Sequence, residues 1–372
     1  MTTKWPNAMQ VALLYDHAEP MPVDALISNF LKIEENARGY RYNMIETDGR
    51  GFARCYGGAG DVMVFVEWVD HPTDRAAFAQ ALTSAFNRTI GAPEAEEAIA
   101  RHQGYLLLNV HHGALPQTPE IRALLGKLQM PEEGQSLETY LERQRVLGLL
   151  ASLAVDVSAP TLAHWTYTDV LARPQPFHDM MLDTSPNFLT VHAMPYRPAG
   201  AKPDEETAGL RTFGAHHYIG REIHVRPSVV PWMTAYEHAI GFMRVALARN
   251  GYIIPDGDTF GDENHTFSYR VHHTCEPFRN GDVDIPCYEL EPLLNVDAKL
   301  QSPDYAPRDR IVDIDRPQRQ LGDFDSRSGK RLVAEWRQKR AMAEAAGATF
   351  EVRARGEAPA PRRLFGRLFG KR

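Results

Sequence analysis

Cysteine is scarce: Cys55, Cys275 and Cys287 are the only three in 372 residues. Thiols so few and so far apart, with no CxxC pair, exclude a disulfide scaffold and point to a reducing compartment, the cytoplasm. Long apolar runs are lacking as well. The longest, Leu147 to Val155, is interrupted by Ser152 and falls well short of the ~20 residues a membrane-spanning helix needs. The opening residues hold a lysine, a proline and a short apolar run closed by Asp16, which is too brief for a secretory signal and reads as a first strand. Catalytic signatures are missing too. There is no GxxxxGK(S/T) phosphate loop, no GxSxG elbow and no HExxH helix. The cluster Gly57-Gly58-Ala59-Gly60 lies between two strand patterns, so it reads as a hairpin loop rather than a phosphate cradle.

What is present is an ordinary globular composition, 43% hydrophobic and 24% charged, with enough apolar residues for a sizeable core. This excludes a collagen-like, coiled-coil or wholly disordered chain. The net charge of −7 conceals a split. Residues 327–372 hold 13 Lys+Arg against 4 Asp+Glu, a balance of +9, which leaves −16 on the first 326 residues. An acidic body repels nucleic acid and anionic membrane, so contact with either is left to the tail.

Hydrophobic periodicity orders the elements. Met9 to Tyr15 is a buried strand, and Pro22 opens a helix carrying Leu26, Ile27, Phe30 and Leu31 and closed by Gly39. Tyr42 to Thr47 and Gly51 to Tyr56 flank Asp48-Gly49, a hairpin signal. Val62 to Val69 is a strand, Thr73 to Phe86 a helix with Thr73 as its cap, Pro93 to Gln103 another helix, and Tyr105 to Val110 a strand. A short helix is expected at Glu120 to Leu128 and a long one from Ser136 to Val155. Strands follow at Leu162 to Tyr167, Phe188 to Met194 and Thr212 to Val225, with an exposed loop at Pro195 to Gly209. Pro231 to Arg249 is a helix, and Thr266 to His273 and Cys287 to Leu290 are strands. The pattern predicts an α+β protein of two ferredoxin-like (split β-α-β) lobes with mainly antiparallel sheets, residues 8–115 and 136–292. After them come a flexible linker (293–329), a helix (330–347) and a disordered basic tail (348–372).

Three constellations invite chemistry. His273 and Cys275 share a strand face, and a second strand can bring Cys287 to them, which makes a weak zinc set against the plainer reading of half-buried strand residues. Asp256, Asp258 and Asp262 crowd a turn. Its fifth and twelfth positions as a calcium loop would be Phe260 and Phe267, neither able to ligate, so a turn held by Asp256-Gly257 is favoured over helix-loop-helix calcium binding. Trp165, Tyr167, Trp232 and Tyr236 read as core aromatics before they read as a stacking platform. In the tail, Leu364-Phe365 and Leu368-Phe369 lie four apart and oppose Arg363, Arg367 and Lys371. That pattern suits a groove on a partner or an anionic membrane surface. Gly366 and Gly370, each costing a helix ~1 kcal/mol, suit a solubilising disordered end.

GAHHYIGREIHV (Gly214 to Val225), the helix after it and the turn Asp256-Gly257-Asp258-Thr259-Phe260-Gly261 resemble the C-terminal signature of a bacterial domain-of-unknown-function family, family 4261. His217, Tyr218, Gly220, Glu222, Asp256, Gly257, Asp258, Thr259 and Gly261 fall on its pattern. Earlier stretches are similar too: His102 before YLLLNV, the helix from Ser136, and Trp165 followed by Pro176-Phe177. The likeness covers about residues 8–292. Inserted residues around Pro277 to Asp284 and the basic tail depart from it. The resemblance implies a bacterial α+β domain with no established activity, and marks His217, Glu222, Asp256, Asp258 and Thr259 as candidate functional residues.

Two functions follow. The first is a non-enzymatic binding or regulatory module with a protein partner, no specific nucleic acid and no cofactor. The alternative is a metal-assisted hydrolase in which Asp256, Asp258 and a histidine, His217 or His273, hold a divalent ion that activates water.

Overall fold

The computed structural model describes residues 8–59, 62–113, 136–202, 206–248, 254–262, 264–277, 284–303 and 305. The expected helices at Glu120 to Leu128 and 330–347, and the tail with Leu364, Phe365, Leu368 and Phe369, lie outside them.

The fold is α+β, with two mainly antiparallel sheets that are each contiguous in sequence. The first contains β1 (Ala8–Tyr15), β2 (Tyr42–Thr47), β3 (Phe52–Gly57), β4 (Val62–Val69), β5 (Gly104–His112), β6 (Leu162–Trp165) and β7 (Val170–Ala172), in the order β2-β3-β4-β5-β1-β6-β7. Every neighbouring pair in it is antiparallel. The ferredoxin-like arrangement is therefore not the one adopted in this sheet. A split β-α-β unit sets β1 beside a parallel strand, whereas here β2 to β5 form a meander and β1 sits between β5 and β6. The expected lobe limits differ from the sheet limits as well. β6 and β7 lie beyond residue 136 yet extend the first sheet, because β5 satisfies one edge of β1 and β6 takes the other.

The apolar run of β1 serves two layers. Met9, Val11, Leu13 and Tyr15 point into a core shared with α1 (Val23–Arg38) and α4 (Leu137–Val157), while Ala12 and Leu14 point to a smaller one with α2 (Ala79–Thr83) and α3 (Ala95–Arg101). Gly39 in the left-handed region (φ 68°) closes α1. A reciprocal pair of hydrogen bonds opens α4: Thr139 N–H to Ser136 Oγ at 3.2 Å and Ser136 N–H to Thr139 Oγ1 at 2.9 Å. The helix expected from Thr73 to Phe86 is broken. Asp74, not Thr73, caps a 3₁₀ turn (Arg75–Phe78), α2 ends at Thr83, Ser84 is extended, and a π turn (Asn87–Gly91) follows.

The second sheet contains β8 (His192–Tyr196), β9 (Ala208–Phe213), β10 (Glu222–Ser228), β11 (Thr259–Gly261), β12 (Phe267–Pro277), β13 (Asp284–Asn295) and β14 (Leu300–Gln301). Its order is β11-β12-β13-β10-β9-β8, with β14 on β13. β10 and β13 are its one parallel pair among the described residues. The strand expected from Thr212 to Val225 is two strands. Gly214 (φ 112°) and Gly220 (φ 74°) bracket a single helical turn, α6 (Ala215–Ile219). Sheet pairing also continues past 292, through Asn295 and β14, into the stretch expected to be linker. α5 (Pro174–Met181) packs on α4, and α7 (Trp232–Ala248) covers one face of the second sheet, where Phe242 meets Tyr288 edge-on at 5.0 Å. One continuous core runs from Val11 and Trp165 through Tyr140 and Tyr218 to Tyr236 and Leu290.

Candidate functional site

The Gly214 to Val225 motif builds a buried turn around Glu222. Its carboxylate accepts from Gly214 N–H (2.8 Å), Ala215 N–H (3.2 Å) and Thr212 Oγ1–H (2.7 Å), and it bonds His216 Nδ1. With the His216 N–H at 3.5 Å, five donors meet this carboxylate and satisfy it. Glu222 thus shapes the turn and aims His216. The adjacent His217 is 1% exposed; its Nε2 bonds the Tyr167 hydroxyl and its ring lies 5.1 Å from the ring of Tyr140. Burial, and then the charges of His216 and Arg143, push the His217 imidazole down from 6.5 to about 2, so it stays neutral. Tyr140 and Arg143 come from α4 and are fully buried; desolvation lowers the Arg143 guanidinium to about 10. Tyr218 donates to Gln144 Oε1 at 2.8 Å and completes this interior polar cluster.

The Asp256 turn is built on backbone. Asp256 Oδ1 accepts from His273 N–H at 2.9 Å, Gly257 (φ 79°) donates to Val271 O at 2.6 Å, and Val271 donates to Asp258 O at 2.8 Å. Asp258 Oδ1 accepts from Thr259 N–H at 2.8 Å. These bonds lock the entrance to β11 and give Asp256, Asp258 and Thr259 structural work. His273 Nε2 donates to Ile254 O at 2.7 Å. The expected metal set does not assemble. Cys287 pairs across the ladder with Thr274, so its side chain stands on the opposite face from that of His273, whose partner is Tyr288. The side chain of Cys275 lies outside the described residues. Among the described residues no three His, Cys, Asp or Glu side chains converge to hold a metal ion. His217 belongs to the α6 cluster and makes its contacts with Tyr167, Tyr140 and His216.

Sequence reasoning missed the outer face of the second sheet. Ladder pairing aligns His272, Glu289, His224 and Arg211 in one row and Arg270 with Glu291 in the next. Arg226 Nε donates to Glu289 at 2.7 Å and its Nη1 lies 3.3 Å from Glu291. His272 Nε2 bonds Glu291 at 2.8 Å, and Arg270 stands 4.0 Å from the same carboxylate. The Arg211 guanidinium lies 5.2 Å over the Tyr196 ring. The available signal was the alternation of charge in β10 and β13 (Glu222, His224, Arg226; Glu289, Glu291), which marks a strand with one polar face. Arg143 was also legible, as a cation on the apolar stripe between Tyr140 and Leu147.

No protein-family model, curated protein or solved structure matches this chain.

Proposed function

We infer that the chain is a binding or regulatory module whose second sheet takes an acidic segment of a partner protein on its outer face. One observation carries the reading. Arg211, Arg226 and Arg270, with His224 and His272, stand on one face of a sheet in a body whose overall charge is strongly negative. Glu289 holds Arg226, Glu291 stands 3.3 Å from Arg226 and 4.0 Å from Arg270, and Arg211 lies over the Tyr196 ring. Ordered arginines lose less side-chain freedom on meeting a carboxylate than a mobile lysine does, and they bind it through two parallel bonds. An acidic segment laid across these rows continues the alternation of charge. The turn at Asp256 and the Glu222 cluster support this face as scaffold. A reducing, cytoplasmic setting belongs to the same reading through the scarcity of cysteine. The likeness to family 4261 rests on its sequence motif and adds no activity.

The test is a titration of the full chain with a labelled Glu/Asp-rich peptide of about 12 residues, with a Lys-rich peptide as control. Binding of the acidic peptide is expected to weaken as salt rises. The triple variant Arg211→Glu, Arg226→Glu, Arg270→Glu is expected to bind about tenfold or more weakly, a loss of ~1.4 kcal/mol or more. Wild-type affinity in the triple variant overturns the assignment of the face.

A further inference from the structure

We propose that Ser84 and His192 form a nucleophile–base pair that cleaves small apolar carboxylic esters through an acyl-serine. This goes beyond the binding reading and does not depend on it. Ser84 Oγ lies 2.8 Å from His192 Nε2, and His192 Nδ1 lies 2.6 Å from the Thr168 carbonyl oxygen. A carbonyl only accepts, so Nδ1 of the neutral ring carries the hydrogen and Nε2 presents its lone pair. The Ser84 hydroxyl therefore donates to Nε2, as a serine does to its general base. The Thr168 carbonyl orients that base, as a third group must.

The fold is arranged to hold this geometry. Ser84 sits at the break after α2 with extended backbone (φ −65°, ψ 125°), so its half-buried side chain stands outside both helical turns. Asn87 ties that break to the loop bearing Thr168. Its Nδ2 donates to Ala81 O (2.8 Å) and Asp169 O (2.9 Å), and its Oδ1 accepts from Leu171 N–H at 3.1 Å. Asn87 is a positioning residue. His192 is 1% exposed and meets the Phe86 ring edge-on at 5.9 Å; Phe86 in turn stacks on Phe188 at 4.8 Å. These rings back the imidazole on its core side. A surface groove of about 490 Å³ lined by Arg75, Ala76, Ala79, Leu82, Thr83 and Glu96 reaches the residue before Ser84.

In the first step Ser84 Oγ bonds to the ester carbonyl carbon while its proton passes to His192 Nε2. The bond from carbon to the leaving oxygen then breaks, and that oxygen takes the proton. Water next attacks the acyl-serine and gives a proton to Nε2. The acyl–Oγ bond breaks, and that proton returns to Ser84. Ester and water become acid and alcohol.

The full chain is treated with a fluorophosphonate serine reagent, mapped by mass spectrometry, and assayed with p-nitrophenyl acetate. One phosphonyl group on the peptide containing Ser84 is expected, with loss of ester cleavage on labelling. Ser84→Ala is expected to keep a cooperative melting transition, at a temperature lowered by the lost bond to buried His192, and to lose both signals. His192→Asn is expected to slow labelling about 100-fold, the scale of a lost general base. Should that variant not fold, the wild-type labelling rate must still rise with pH through a single deprotonation and then level off. Labelling of the wild type no faster than Ser84→Ala, labelling at another serine, or a rate without that pH step overturns the proposal.

Discussion

His217 and His238 set how this protein responds to acid. Burial holds the His217 imidazole at about 2, and burial likewise lowers that of His238, stacked 3.7 Å from Phe267, to about 4. In the unfolded chain both titrate at an ordinary value near 6.5. Below that pH the unfolded chain takes up protons that the folded chain refuses until pH 4 or lower, so stability falls as pH falls. Each histidine contributes ~1.4 kcal/mol of loss per pH unit below 6.5. Urea unfolding at pH 7.5 and 5.0 is expected to differ by about 2–4 kcal/mol from these two groups, and His217→Gln should remove about half of the difference. A stability that is flat over this range would contradict their burial in the neutral form. His216 is engaged by Glu222, His217 by Tyr167, and His273 by a backbone carbonyl.

Helix packing is tested by two glycines that sequence alone cannot tell apart. Gly148 in α4 lies where α5 crosses: a Cβ there would stand 2.3 Å from the Met181 carbonyl oxygen. Gly241 in α7 has only the Phe260 ring, at 3.9 Å. Alanine raises helix propensity by about 1 kcal/mol at either position. Gly241→Ala is therefore expected to stabilise by up to that amount, and Gly148→Ala to destabilise by about 2 kcal/mol, since backbone must move. Equal effects in urea titrations would contradict the close α4–α5 crossing. Strands such as β1 and β4, and helices such as α1, α4 and α7, were legible in sequence because their apolar periodicity and end residues agree. The break at Ser84 and the turn at α6 were not. Leu82 and Phe86 continue a helical stripe across the first, and the second needs two glycines at positive φ together with a carboxylate supplied by the following strand. Sheet order was hidden for a different reason. Whether β6 joins β1 depends on an edge left open by pairing elsewhere, which no local pattern records. Ser84 and His192 lie 108 residues apart in the chain and share no motif.

At the scale of the whole molecule, charge is distributed on two levels. The chain divides into an acidic body and a tail of +9, and within the acidic body one sheet face collects Arg211, Arg226 and Arg270 around two glutamates. Through space only the tail attracts acidic ligands, because long-range attraction reports net charge and the body carries −16; the face meets them at short range. They differ in order: the face offers guanidinium groups already held by carboxylates and an aromatic ring, and binding there costs less side-chain entropy. No helix among the described residues is long and apolar enough to cross a membrane, and the described residues form one shared core between the two sheets. The face is thus presented by a continuous scaffold. The most direct measurement is an NMR titration that follows the Arg Nε–H resonances of the full chain as the acidic peptide is added. The account predicts that the Arg211, Arg226 and Arg270 signals shift first and saturate together. Shifts confined to the arginines of residues 327–372, with the three sheet arginines unmoved, would contradict it.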